Sequence, residues 1–141
     1  MPLHPIVIHF PLAFLTIGFA AEVIAVATRR DAFSTGGWWL QCCGTAGIAL
    51  AVLSGLYAKS AAVIPAAAAT SIDLHQQLAF LSSCIYAGLL FWRTAHRGRI
   101  PEPRLLFLAL YAAASLLLWF TGWFGGELVF TYGIGIRTPL P

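Results

Sequence analysis

The sequence predicts an all-α fold: an integral membrane four-helix bundle with both termini extracytoplasmic. Three observations predict it. Of the 141 residues, 60% are hydrophobic and only 9% are charged, against roughly 25% charged in an ordinary globular domain. A soluble chain of this length could not hide so much apolar surface. The apolar residues gather into four stretches, each close to the ~20 residues that a transmembrane helix needs. The arginines cluster at the ends of those stretches, so the net charge of +3 is no mark of a nucleic-acid partner. The lipid bilayer is the expected surrounding, with residues 1–141 forming a single transmembrane domain. The N-terminus lacks the basic region of a cleavable signal, and its first apolar run is long enough to span.

The first span is expected from about Pro5 to Thr28. Pro5 suits a first helical turn, where its missing N–H costs little, and Pro11 should bend the helix beside His9. Arg29-Arg30-Asp31 ends the span, and a short loop over residues 32–37 leads to Trp38-Trp39. The second span runs from about Trp38 to Tyr57, with Gly44, Gly47 and Gly55 allowing close helix approach. Residues 60–72, centred on Pro65, read as a short connection, with Ser71 or Asp73 capping the next helix. The third span runs from about Ile72 to Trp92, and the fourth from about Leu105 to Phe124 after Pro101 and Pro103. The tail over residues 125–141 reads as too glycine-rich to continue as a stable helix. Cys42, Cys43 and Cys84 lie within apolar runs and match no zinc motif, so they read as small core residues.

Charge sets the expected orientation. Arg29, Arg30, Arg93, Arg97, Arg99 and Arg104 flank the first and third loops, whereas Lys59 and Arg137 lie on the other side. The positive-inside rule places the arginine side in the cytoplasm. His4, His9, His75 and the glycine-rich tail then share the outer face, and His96 falls inside.

The histidines carry the chemical expectation. Burying an imidazole without a partner costs about 2–7 kcal/mol, so something must occupy these nitrogens. His9 and His75 lie at similar depth on their helices at a rise of ~1.5 Å per residue. His9, Ala13, Thr16 and Ala20 share one helix face, and His75, Ala79, Ser82, Ser83 and Tyr86 share another. Small faces leave room for a flat macrocycle held by two axial histidines, and haem is commonly bound through histidine. The plainer alternative is that each ring hydrogen-bonds a neighbouring helix carbonyl. His4 could cap its helix or reach a second ligand. Zinc or copper held by the outer histidines with Asp73 and Glu127 is a rival chemistry, although no two histidines have i, i+3 or i, i+4 spacing. Lys59 and Arg137 are candidates to pair with haem propionates.

Glu22 lies in the inner half of the first span, where an acid is costly, and Arg93 enters from the third helix at comparable depth. They read as a structural ion pair, with a proton path as the alternative. Trp119 and Trp123 read as an interfacial anchor, or else as aromatic packing on a cofactor edge.

His4-Pro5 followed by His9-Phe10-Pro11, a histidine opening the third helix, and Gly125-Gly126-Glu127-Leu128-Val129-Phe130 ahead of Gly133-Ile134-Gly135-Ile136 together resemble the bacterial membrane family called domain of unknown function 2231. The likeness covers nearly the whole chain. The resemblance implies a four-helix protein, and the fusion of relatives to cytochrome c or Rieske-type domains implies electron transfer. One departure matters: the family usually has a histidine where this chain has Tyr132. A second haem is therefore not expected.

The leading expectation is a cytochrome-like subunit of the bacterial cytoplasmic membrane. It holds one b-type haem near the outer face on His9 and His75, and passes electrons between quinone and an extracytoplasmic redox partner. The alternatives are a cofactor-free accessory or anchoring subunit of a larger membrane complex, and a metal-binding membrane protein. Nothing beyond isolated residues supports a Ser or Cys nucleophile.

Overall fold

The computed structural model describes residues 4–134. Within them the chain is all helical: α1 (His4–Val7), α2 (His9–Thr28), α3 (Asp31–Ala61), a short 3-10 turn over Ala66–Ala68, α4 (Ala69–Ala95) and α5 (Arg104–Phe130). α1 and α2 act as one rod, so four helical segments are long and apolar enough to cross a membrane.

The rod breaks at Ile8. Pro11 has no N–H to offer the carbonyl of Val7, and the helix loosens there, as its position beside His9 predicts. α2 ends where Arg29 takes the left-handed conformation (φ 56°). Only Arg29 and Arg30 separate α2 from α3, because the helix starts at Asp31 rather than near Trp38. Residues 32–37, expected as a loop, are helical. Two glycines in a helix cost about 0.5–1 kcal/mol each, but Gly37 is needed: a Cβ there would overlap the Glu22 carboxylate. Asp31 also places a negative charge in the first turn, where the helix dipole favours it.

α3 runs on to Ala61, past the expected end at Tyr57. α4 begins at Ala69, before Ile72, since the alanine run after Pro65 is strongly helix-forming. It ends in a Schellman turn, with Arg97 (φ 56°) and Gly98 (φ 77°) left-handed and Gly98 N–H donating to Arg93 O at 3.0 Å. α5 does not stop at Phe124. It continues through Gly125 and Gly126 to Phe130, and the chain turns only at Gly133 (φ 66°). Packing against α4 overrides the weak helix preference of those two glycines.

The principal contacts run α2–α3, α3–α4, α4–α5 and α5–α2, so α2 and α4 face one another across a diagonal. The axis is filled by Leu15, Ile48, Tyr86, Leu89, Phe107, Tyr111 and Ala114. Gly44 lets α2 meet α3 closely, since a Cβ there would lie 2.5 Å from Leu15 Cγ. Ile17, Leu50, Leu53, Phe91, Leu105 and Leu116 are exposed on the outside of the bundle, the face that a bilayer covers.

Candidate functional site

The buried polar chemistry gathers at two levels of the bundle. One is the end that carries His4 and His75, and the other lies toward the arginine-rich loops.

At the histidine end, α1 lays the His4 ring against α3. His4 Nδ1 is 2.9 Å from Ser54 Oγ, and a Cβ on Gly55 would stand 2.9 Å from His4 Cε1. The ring occupies space that only glycine leaves open. His75, near the start of α4, turns toward α5. Its Nδ1 donates to Thr121 O at 2.9 Å, and its ring rests on Gly125, where a Cβ would come within 3.1 Å of Cε1. Each imidazole thus has Nδ1 on an oxygen, and its Nε2 bonds no other described residue. Both rings lie at the same end of the bundle, His4 against α3 and His75 against α5.

His9 addresses a different surface. Its Nδ1 meets Pro5 O of its own rod at 2.6 Å. The exposed ring lines an open apolar groove of about 360 Å³ with Leu12, Ala13, Thr16, Ile17 and Trp119. His75 instead turns to the backbone of α5.

Lys59 is already engaged: its Nζ donates to Asp73 Oδ1 at 3.0 Å and to Gln76 Oε1 at 2.7 Å. Arg137 lies outside the described residues, as do Gly135 and Ile136. His96 is exposed at the far end and holds Trp92 O. Trp119 is not at a helix end. Its indole N–H donates to Thr16 Oγ1 at 3.1 Å, and Thr16 is midway along the rod His4–Thr28. An interfacial anchor at Trp119 therefore does not follow.

Toward the arginine end, Glu22 and Arg93 meet across the diagonal at 2.5 Å, both fully buried. The guanidinium makes further bonds: Nε to Gly98 O (2.9 Å), Nη1 to Gln41 Oε1 (3.1 Å), and Nη2 to Ser34 O (2.8 Å) and Ser34 Oγ (3.2 Å). The rings of Trp38 and Phe107 flank it at 5.5 and 5.9 Å. Sequence reasoning found the two charges but missed Gln41, Ser34 and Tyr111. A glutamine inside an apolar span was the available signal.

A family model described as predicted membrane protein (DUF2231) matches residues 1–138. The chain belongs to this family. No curated protein and no solved structure matches it. For this DUF2231 protein, the match and the four apolar spans together establish a membrane protein. Among the described residues no group of three or more His, Cys, Asp or Glu side chains is placed to hold a metal ion.

Proposed function

We propose that this protein is a redox subunit whose histidine end would hold one b-type haem through His75 and His4. The single observation that carries the reading is the state of the two rings at one end of the bundle: packed on Gly55 and Gly125, each with Nδ1 on an oxygen and Nε2 bonded to no described residue. Haem-binding histidines are commonly prepared this way, with an oxygen acceptor fixing tautomer and ring orientation. The geometry favours His4 over His9 as the partner of His75, because His9 faces the outer groove.

Haem, when bound, supplies the one-electron transfer. The chain's own residues do the rest. Thr121 O holds the His75 N–H and raises the basicity of its Nε2. Ser54 holds His4. Gly55 and Gly125 keep the ring space clear. The ends of α3, α4 and α5 half-bury the two rings. In this reading the electrons pass between a membrane quinone and an extracytoplasmic redox subunit, and the positive-inside rule puts the histidine end outside the bacterial cytoplasmic membrane.

The test is an absorption spectrum of the purified protein, oxidised and reduced, after expression with ample haem supply. Split reduced bands are expected, lost in His75→Ala and in His4→Ala, and kept in His9→Ala and His96→Ala. Loss in His9→Ala with retention in His4→Ala would restore His9 as the ligand. A colourless wild-type protein rejects the haem reading and leaves the accessory-subunit reading in its place.

A further inference from the structure

The Glu22–Arg93 contact is an incomplete salt bridge. A purely structural pair of carboxylate and guanidinium tends to be bidentate, with both oxygens engaged. Here Oε1 takes the Arg93 bond, while Glu22 Oε2 is buried with no partner among the described residues. It is not alone. Gln41 Nε2, Tyr111 OH and Thr45 Oγ1 are also buried and unpartnered.

Three of these side chains, Glu22, Gln41 and Tyr111, are neighbours. Glu22 and Gln41 share Arg93 Nη1. The Tyr111 hydroxyl lies over Gly18, one turn before Glu22 on α2. A Cβ on Gly18 would be 2.8 Å from that oxygen and 3.7 Å from Gln41 N. Thr45 follows Gln41 by one turn on α3. Four orphaned polar atoms inside a membrane bundle would each cost about 1–3 kcal/mol. A water bridging Glu22 Oε2, Gln41 Nε2 and Tyr111 OH removes most of that cost, and two to four polar partners are what a buried water requires. The donors and acceptors match: Gln41 offers N–H groups, Tyr111 offers an O–H or a lone pair, and Glu22 Oε2 only accepts.

The cation does not depend on the carboxylate alone. Arg93 keeps four bonds to neutral oxygens, on Gly98, Gln41 and Ser34, and two aromatic faces. It can remain in place when Glu22 becomes neutral. The titratable groups beside Glu22 and Tyr111 are Arg93 on α4, bonded to Glu22, Tyr86 on α4, edge-on to the Tyr111 ring at 5.6 Å, and Cys42, next to Gln41 on α3. Ser34, the outermost member, is only half-buried and opens toward the arginine-end loops.

We propose that this core is a hydrated proton-binding site, in which one or two waters join Glu22 Oε2, Gln41 Nε2 and Tyr111 OH, and Glu22 takes up and releases a proton. The step is a simple addition: a proton from solvent at the arginine end bonds to the carboxylate, no covalent bond breaks, and the charge of the cluster rises by one. The proposal is independent of haem at the histidine end.

The experiment is infrared difference spectroscopy on the full chain in lipid, between acid and alkaline buffer, with exchange into deuterium oxide and oxygen-18 water. A carboxylic C=O band is expected on acidification. It should be lost in Glu22→Gln and shifted in Tyr111→Phe. An O–H band sensitive to oxygen-18 water should weaken in Tyr111→Phe. That variant keeps the ring packing and the Arg93 contacts, so it remains informative if Glu22→Gln fails to fold. A carboxyl band unchanged by Tyr111→Phe, or no titrating band that Glu22→Gln removes, overturns the proposal.

Discussion

Glu22→Gln is the most direct perturbation of the buried core. Both partners of the ion pair have no solvent exposure. Removing one member of such a pair typically costs about 3–5 kcal/mol, because the other charge is left buried without compensation. Two features put this site at the lower end. Glutamine keeps a carbonyl oxygen where Oε1 was, and Arg93 retains its bonds to Gly98, Gln41 and Ser34. The expected loss is therefore about 3 kcal/mol, a sizeable part of the ~5–15 kcal/mol that stabilises an ordinary domain. Equilibrium unfolding in mixed micelles, followed by tryptophan fluorescence, measures it. The double change Glu22→Gln with Arg93→Met should recover part of the loss, since no charge then remains to be compensated. A single variant that unfolds within about 0.5 kcal/mol of wild type, as an ordinary surface substitution does, would show that the pair is solvated and would refute the reasoning.

Gly37→Ala should cost about 1–3 kcal/mol by overpacking, and less in a Glu22→Ala background, where the overlapping carboxylate is gone; the same unfolding assay reads both. Gly55→Ala should displace the His4 ring by its contact with Cε1, changing the absorption spectrum of a haem-loaded sample more than the stability. Lys59→Glu breaks an exposed pair with Asp73 and should cost less than about 1 kcal/mol in the unfolding assay; a larger loss would mean that Gln76 and Asp73 fix the α3–α4 connection. Reporter fusions at Pro141 should be active only in the extracytoplasmic compartment, and cytoplasmic activity would place the histidine end on the other face.

The spans were legible because lipid imposes a length and a composition. Their ends were not, and each miss has a local cause. Residues 32–37 resemble a loop because Gly36 and Gly37 are poor helix formers, yet Gly37 is where α3 admits the Glu22 side chain. Gly125 looks like the start of a tail, yet it is where α5 admits the His75 ring. A glycine chosen for close approach and one chosen for a turn are written with the same letter. The charges at Glu22 and Arg93 were visible as matched depths along two spans. The seat of His4 against α3 was not, because it depends on the break at Ile8 and on how α1 leans against Ser54. Periodicity along a straight helix placed His9 on a facing stripe, whereas in the structure that stripe borders the open groove.

The buried polar side chains divide by how they meet their own hydrogen-bonding needs. Ser82, Ser115 and Thr121 return their hydroxyls to Leu78 O, Tyr111 O and Leu117 O, one turn back on the same helix. Such residues ask nothing of the rest of the bundle, and Tyr86 then adds its hydroxyl to Ser115 at 3.0 Å. Glu22, Gln41 and Tyr111 have no such local remedy. They are placed against one another by three different elements, α2, α3 and α5, and atoms on each remain open. A sequence under pressure only to pack a membrane core would replace Tyr111 by phenylalanine and Gln41 by leucine, keeping the aromatic contacts to Tyr86 and Phe107 without orphaning a polar atom. Retaining the hydroxyl and the amide beside a half-engaged carboxylate makes physical sense when a water or a proton completes the set.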